Sequence, residues 1–270
     1  MTDTQFKENG IYYRHWPVVE PKAVVLLVHG LGEHCERYGA LAKALNTAGY
    51  ALCALDLPSH GQSDGVRGHI DSFADHQTAV LSLHTKAKEW YPKQEMFLLG
   101  HSMGGLVSTR FLLDHQSLFK GALLSGALIE SPQAPPSWQV GIMKVIAAVA
   151  PKTQMLELDG SAVSRDPKEV EKYMNDPLVS KDKLSARLLV EMFKTMDECK
   201  TRAAEITLPI RIMHGSKDVM TAPSGSKFLH QHVSSTDKEI EIYNGLFHEI
   251  FNEPEAESIY QDVIAWLNKH

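Results

Sequence analysis

The stretch MFLLGHSMGG, residues 96–105, decides the fold. A run of apolar strand leads straight into a serine flanked by glycines, and a helical pattern follows with no loop between. GxSxG in that position reads as a strained strand-to-helix turn that lifts a serine hydroxyl to the end of a sheet. Gly100 and Gly104 are small enough to let the turn close. Ser102 is the candidate nucleophile. The bland alternative is a helix N-cap, a position that serine also favours.

Working outward, short runs rich in Val, Leu and Ile recur at 23–29, 51–55, 96–100, 121–124, 209–214 and 240–243. Continuous apolar runs of this length suit strands covered on both faces, as in a parallel sheet between helices. Segments of helical spacing lie between them at 38–48, 73–90, 104–114, 224–232 and 255–268. The alternation predicts a single α/β domain with a mostly parallel central sheet flanked by helices. From about 132 to 202 the alternation breaks. A Pro-rich entry, a nearly all-apolar helix and amphipathic stretches at 168–174 and 184–196 replace it, with no convincing strand. Such an insertion is expected over the C-terminal ends of the strands, where open α/β sheets bind ligands. It reads as a helical cap.

A serine hydroxyl needs a base, and the base needs an orienting carboxylate. Downstream, IRIMHGSKD (210–218) places Asp218 in a loop just beyond a strand. EIYNGLFHEIFNEP (241–254) then places His248 between the last strand and the last helix. Ser, acid, His is the chain order of the α/β-hydrolase fold. A loop Asp is more often a turn-former, so the joint order and the strand-end placement carry the assignment. The reaction also needs donors for an oxyanion. The N–H of Met103, after the nucleophile, is one; the N–H of Leu31, in the HGLGEH loop at 29–34, is the other. His29 reads as a brace for that loop rather than a second base.

Competing chemistries fail on spacing. His248-Glu249 would begin HExxH, but Asn252 stands at the fifth position; Gly30-Leu31-Gly32 meets Cys35 where a dinucleotide fingerprint needs glycine; and no GxxxxGK loop exists. No cofactor and no metal are implied. The 270-residue chain has a net charge of −6, which argues against a nucleic-acid partner. Cys35, Cys53 and Cys199 show no disulfide or CxxC spacing, and the N-terminus shows no secretory leader, so a cytoplasmic setting is expected.

With these residues on the page, the chain resembles the monoacylglycerol lipases of the α/β-hydrolase superfamily, a group that includes bacterial lysophospholipases. The resemblance spans nearly the whole chain. It rests on HGLGEHCERY (29–38), DLPSHGQSDG (56–65), LLGHSMGG (98–105), SRDPKEVEKYMNDPLV (164–179), HGSKDVM (214–220) and LFHEIFNEPE (246–255). One departure is Ser59, where relatives usually carry glycine, and strain in that turn is expected. The resemblance implies a serine carboxylester hydrolase that holds a monoacylglycerol beneath the cap and releases fatty acid and glycerol through an acyl-enzyme. It also implies roles for Glu33 and Arg37 beside the oxyanion loop and for Tyr173 facing the glycerol. A structural salt bridge for the first two and core packing for the third are the alternatives.

A lysophospholipase, a general carboxylesterase or a thioesterase would use the same triad. A non-catalytic homologue that binds a lipid or a partner is the rival from another class. The apolar helix SWQVGIMKVIAAVAP (137–151) is expected to turn one face to the acyl tunnel. Its other face would meet a membrane surface, the rest of the cap, or a second chain.

Overall fold

The apolar runs form the middle of a sheet in the computed structural model, which describes residues 3–132 and 135–270. The chain begins with β1 (Thr4–Glu8), β2 (Ile11–Trp16), β3 (Val24–Val28), α1 (Gly39–Thr47), β4 (Ala51–Leu55), α2 (Ala74–Trp90) and β5 (Met96–His101). It continues with α3 (Met103–His115), β6 (Gly121–Ser125), α4 (Ser137–Val149), β7 (Gln154–Leu156), α5 (Pro167–Asn175), β8 (Leu184–Ser185) and α6 (Ala186–Arg202). It ends with β9 (Ile210–Gly215), α7 (Pro223–His232), β10 (Lys238–Tyr243) and α8 (Ala256–Lys269). The main sheet has the order β1-β2-β4-β3-β5-β6-β9-β10. It is parallel from β4 to β10, and β2 pairs antiparallel with both β1 and β4. This is the α/β-hydrolase arrangement expected from the sequence.

Every residue of β3 and β4 is buried, because helices cover both faces. The two-residue period of the strand divides β3 between two cores. Val24, Leu26 and Val28 pack with side chains of α2, α3 and α6, while Val25 and Leu27 pack with those of α1 and α8. Each such buried side chain contributes roughly 1.5–3 kcal/mol relative to exposure. The β1–β2 hairpin was not among the expected strands. Its residues TQFKE and IYYRHW are polar or mixed, and β1 lies exposed at the sheet edge, so no apolar run marks it.

The inserted segment also departs from expectation. It holds two short strands, β7 and β8, paired antiparallel, which are too brief to leave a periodic signal. The Pro-rich entry lies partly outside the described residues, at Gln133 and Ala134. All three cysteines are buried and free. No helix among the described residues is long and apolar enough to cross a membrane.

Among the described residues four non-glycine residues, Asn9, Glu20, Ser59 and Ser102, have positive φ, and two of them lie in the quoted motifs. Ser102, between β5 and α3, has φ +55° and ψ −122°; Ser59 has φ +68°. Both lie in the left-handed half of conformational space, which costs a residue bearing Cβ about 1–3 kcal/mol. The turn at Ser102 closes because position 104 is glycine. A Cβ there would stand 2.2 Å from the Val28 carbonyl oxygen and 2.3 Å from that of His29. Ser59→Gly should therefore raise stability by about 1 kcal/mol. Ser102→Gly should melt above Ser102→Ala by a few degrees, since only glycine relieves the strain. Calorimetric or denaturant unfolding of the three variants checks both expectations, and equal midpoints for Ser102→Gly and Ser102→Ala would remove the strain argument.

Candidate active site

The strained turn aims Ser102 away from the helix it precedes. Ser102 occupies the N-cap position of α3, yet its side chain makes no capping hydrogen bond. Oγ instead lies 2.9 Å from His248 Nε2. The N-cap alternative is thereby excluded. On the other side of the imidazole, Nδ1 lies 2.7 Å from Asp218 Oδ2. Asp218 is also a turn-former, and it divides the work between its oxygens. Oδ1 accepts the N–H groups of Met220 and Thr221 at 2.8 and 3.0 Å, which leaves Oδ2 for His248. Ser102, His248 and Asp218 are all buried.

Burial alone would depress the His248 pKa, but the charge and hydrogen bond of Asp218, with Glu249 and Glu33 beyond, raise it above the ordinary value. Burial works the other way on Asp218. There the charge of His248 and the hydrogen bonds from His214, His248 and Thr221 outweigh it and hold the carboxyl far below the usual carboxylate range. The acid stays ionised. A neighbouring ring, His101, sits 4.7 Å from His248 and reaches Ser125 Oγ through Nδ1 at 3.1 Å. Burial lowers its pKa to about 3, so it stays neutral at pH 7.

The loop after β3 brings its backbone against the nucleophile. A Cβ on Gly30 would stand 2.8 Å from Glu33 Oε1 and 3.1 Å from the Ser102 Cβ, so any larger residue would have to push these neighbours aside. Leu31 lines the cavity beside Ser102. The N–H of Met103, first residue of α3, has no intrahelical acceptor, as at any helix start. His29 holds the loop. Its Nε2 accepts the Leu57 N–H at 2.9 Å, so Nδ1 carries the proton and donates to Gly30 O at 2.8 Å. That is the brace expected from the sequence.

Glu33 and Arg37 form the salt bridge named as one alternative, within a larger buried cluster. Glu33 Oε1 accepts the Gly30 N–H and the Tyr38 hydroxyl at 2.6 and 2.7 Å, and Arg37 Nη1 lies 2.9 Å from Oε2. Arg37 then grips Glu249 with both terminal nitrogens, at 2.5 and 2.7 Å. Burial pushes Glu33 up, with Glu249 adding to it against Arg37. Burial raises Glu249 too, but the two-pronged Arg37 contact overrides it and holds Glu249 ionised. Tyr173 on α5 is buried, with the guanidinium 4.7 Å from its ring centroid, and it lines the cavity as well. Core packing and a cavity-facing position are thus both true of it.

Glu249 was missed as a site residue. It had been weighed only as part of a failed zinc motif, and its one sequence signal is adjacency to His248. His214, Thr221 and His101 were missed likewise, and only the last is marked, by flanking Ser102. Among the described residues no group of three or more His, Cys, Asp or Glu side chains is placed to hold a metal ion.

These groups close one end of a cavity of about 130 Å³. Its wall is apolar, built from Leu128, Leu158, Leu189, Met192, Phe193 and Met196 among others. Most of these come from α6. The helix expected to face the tunnel, α4, supplies none of the cavity's lining. Its buried side chains, Met143 and Ala147, turn toward the protein, and α4 packs on α6. One amphipathic stretch has taken the place expected for another.

Comparison with known proteins agrees with this geometry. Residues 19–255 match the hydrolase family described as serine aminopeptidase, S33. The chain is 35% identical over 264 residues to a monoacylglycerol lipase of Mycolicibacterium smegmatis, covering 96% of this chain and 93% of that one. It is 31% identical over 262 residues to the monoglyceride lipase of Mus musculus, covering 96% and 86%. The crystal structure of Paleococcus ferrophilus monoacylglycerol lipase superposes with a TM-score of 0.87 at 33% identity, covering 96% and 99%. With this family match and these relatives, the chain belongs to the S33 family of serine hydrolases and is an α/β-hydrolase of the lipase and esterase type.

Proposed function

We propose that this hydrolase cleaves monoacylglycerols to fatty acid and glycerol through an acyl-enzyme on Ser102. The observation that carries the reading is the charge of the cavity. Its wall is apolar, its polar end presents Glu33, Glu249, Tyr173 and His101, and among the described residues no Lys or Arg lines it. Arg37, behind that end, is already engaged by two carboxylates. Carboxylates accept hydrogen bonds from hydroxyls, so a neutral polyol fits there. A phosphate does not. It would meet no free cation there, because Arg37 is already paired with Glu33 and Glu249. This ranks lysophospholipids and phosphate-bearing thioesters below monoacylglycerol. The names of the relatives support the same substrate.

In this mechanism His248 takes the Ser102 proton as Oγ attacks the ester carbonyl. The N–H groups of Leu31 and Met103 receive the oxyanion. The glycerol oxygen leaves with the proton that His248 returns. Water, deprotonated by His248, then attacks the acyl-enzyme and releases the fatty acid. Asp218 keeps the imidazole in the Nδ1–H tautomer and stabilises its charged form throughout. The segment from about 132 to 202 acts as the cap, with α6 walling the acyl chain and Tyr173 facing the glycerol.

A peripheral contact with a lipid surface fits the same reading. On α4, Trp138, Ile142, Val145 and Val149 are 65%, 50%, 64% and 78% exposed. Leu156, on the cavity wall nearby in sequence, is half exposed. Apolar exposure beside the mouth of a lipid cavity suits docking on the surface that supplies the lipid.

Turnover of monoacylglycerol, diacylglycerol, triacylglycerol, lysophosphatidylcholine and p-nitrophenyl esters tests the function. Monoacylglycerol is expected to lead lysophosphatidylcholine of equal chain length by at least about tenfold, and Ser102→Ala should abolish turnover of every substrate. Equal or faster lysophospholipid cleavage would overturn the glyceride reading, and activity surviving in Ser102→Ala would overturn the mechanism. For docking, the double variant Trp138→Ser, Ile142→Ser should lose co-sedimentation with phosphatidylcholine vesicles while keeping turnover of dispersed p-nitrophenyl butyrate. Unchanged sedimentation would refute the contact.

A further inference from the structure

Asp218 has a second imidazole against it. His214, the last side chain of β9 before Gly215, is completely buried, and its Nε2 lies 3.1 Å from the same Oδ2 that receives His248. Its other nitrogen, Nδ1, lies 2.7 Å from Oγ of Ser226, a buried residue of α7. The carboxylate therefore sits at the centre of a chain running Ser102, His248, Asp218, His214, Ser226. The two halves are alike in composition, but only Ser102 faces the cavity.

The hydrogen-bond inventory fixes the direction of the buried half. His214 Nε2 faces two acceptors, Asp218 Oδ2 at 3.1 Å and the Thr221 carbonyl oxygen at 3.4 Å, so it carries a proton shared between them; with one proton on the ring, Nδ1 is then bare and accepts from the Ser226 hydroxyl. Thr221 completes the shell, with Oγ1 2.8 Å from Oδ2 and 2.9 Å from Gly126 O. We propose that His214 is a positioning residue for the triad, setting its Nε2–H beside the same Asp218 oxygen that receives His248 and limiting how strongly the carboxylate draws a proton onto that base. The inference rests on the triad reading given above.

The consequence has a definite sign. A donor on Oδ2 disperses the negative charge that stabilises imidazolium at His248. Removing it leaves a stronger counter-charge, provided that Asp218 stays in place, and the Met220 and Thr221 N–H groups on Oδ1 keep it there. The other groups that act on His248 are unchanged by the substitution: neutral His101 at its ring face, ionised Glu249 next to it in sequence, and Glu33 with Arg37 behind. Without His214, the base holds its proton to higher pH.

The test is the pH dependence of kcat/KM for monoacylglycerol in the wild type, His214→Phe and His214→Gln, with Ser102→Ala as control. In His214→Phe the acid limb is expected to move up by roughly half a unit to one unit, so that activity lost at pH 6.5 returns by pH 9. His214→Gln, whose amide N–H reaches toward the same oxygen, is expected to bring the limb back toward the wild-type position. An unchanged limb in a folded His214→Phe protein overturns the proposal. So does a parallel fall in kcat/KM at every pH, as a purely structural role would give. Should that variant fail to fold, nitrogen NMR of the ¹⁵N-histidine-labelled wild type decides: His214 must carry its proton on Nε2 with Nδ1 bare, and the reverse tautomer overturns the inference. Activity in Ser102→Ala would instead break the triad reading itself, so the two failures are told apart.

Discussion

One guanidinium shared by two buried carboxylates holds the working parts of this molecule in register. Arg37 and Glu33 belong to the loop after β3, and Glu249 follows His248 in the loop after β10. A charge this deep is tolerated only when paired and fully hydrogen-bonded, and removing one partner of such a pair typically costs about 3–5 kcal/mol. The cluster meets that condition through the Gly30 N–H, the Tyr38 hydroxyl and the Asn252 amide. It therefore cannot loosen in one place without stranding charge in another. The loop that carries Leu31 and the loop that carries His248 are fixed to each other, with Tyr173 of α5 set against the same guanidinium.

The same burial shapes the chemistry. A Ser–His–Asp array this withdrawn from water has stronger internal electrostatics than an exposed one, and each of its charges has a partner. Asp218 is surrounded by donors, His101 is held neutral, and Glu249 is neutralised by Arg37.

How much of this was legible in the sequence depended on whether the signal was local. Ser102 announced itself because strand, turn and helix adjoin within a few residues. Asp218 and His248 were found from order and strand-end placement. The central strands were marked by burial on both faces, whereas the β1–β2 hairpin, with polar residues and an open edge, was invisible. Arg37 and Glu249 are separated by 212 positions, and His214 looks like the ordinary end of a strand until the fold sets it against Asp218. The exchange of α6 for α4 along the cavity has the same origin: α4 is apolar nearly all round and α6 is amphipathic, and periodicity tells which residues share a face but not what that face meets.

The two ends of the main sheet carry a consequence for how the molecule keeps to itself. Strands at a sheet margin offer unpaired backbone groups to any other chain. Here one margin is β1, five exposed or half-exposed residues including Lys7 and Glu8. The other is β10, where Lys238, Glu239 and Glu241 alternate with Ile240 and Ile242, and Glu239 is engaged by Arg211 and Lys269. A second chain adding a strand at either margin would have to bring its own backbone up against these charges and desolvate them. Both margins thus work as gatekeepers against edge-on aggregation. Among the described residues, most of the large apolar side chains that face outward lie instead in the inserted segment, from Trp138 to Met174, well away in sequence from both margins.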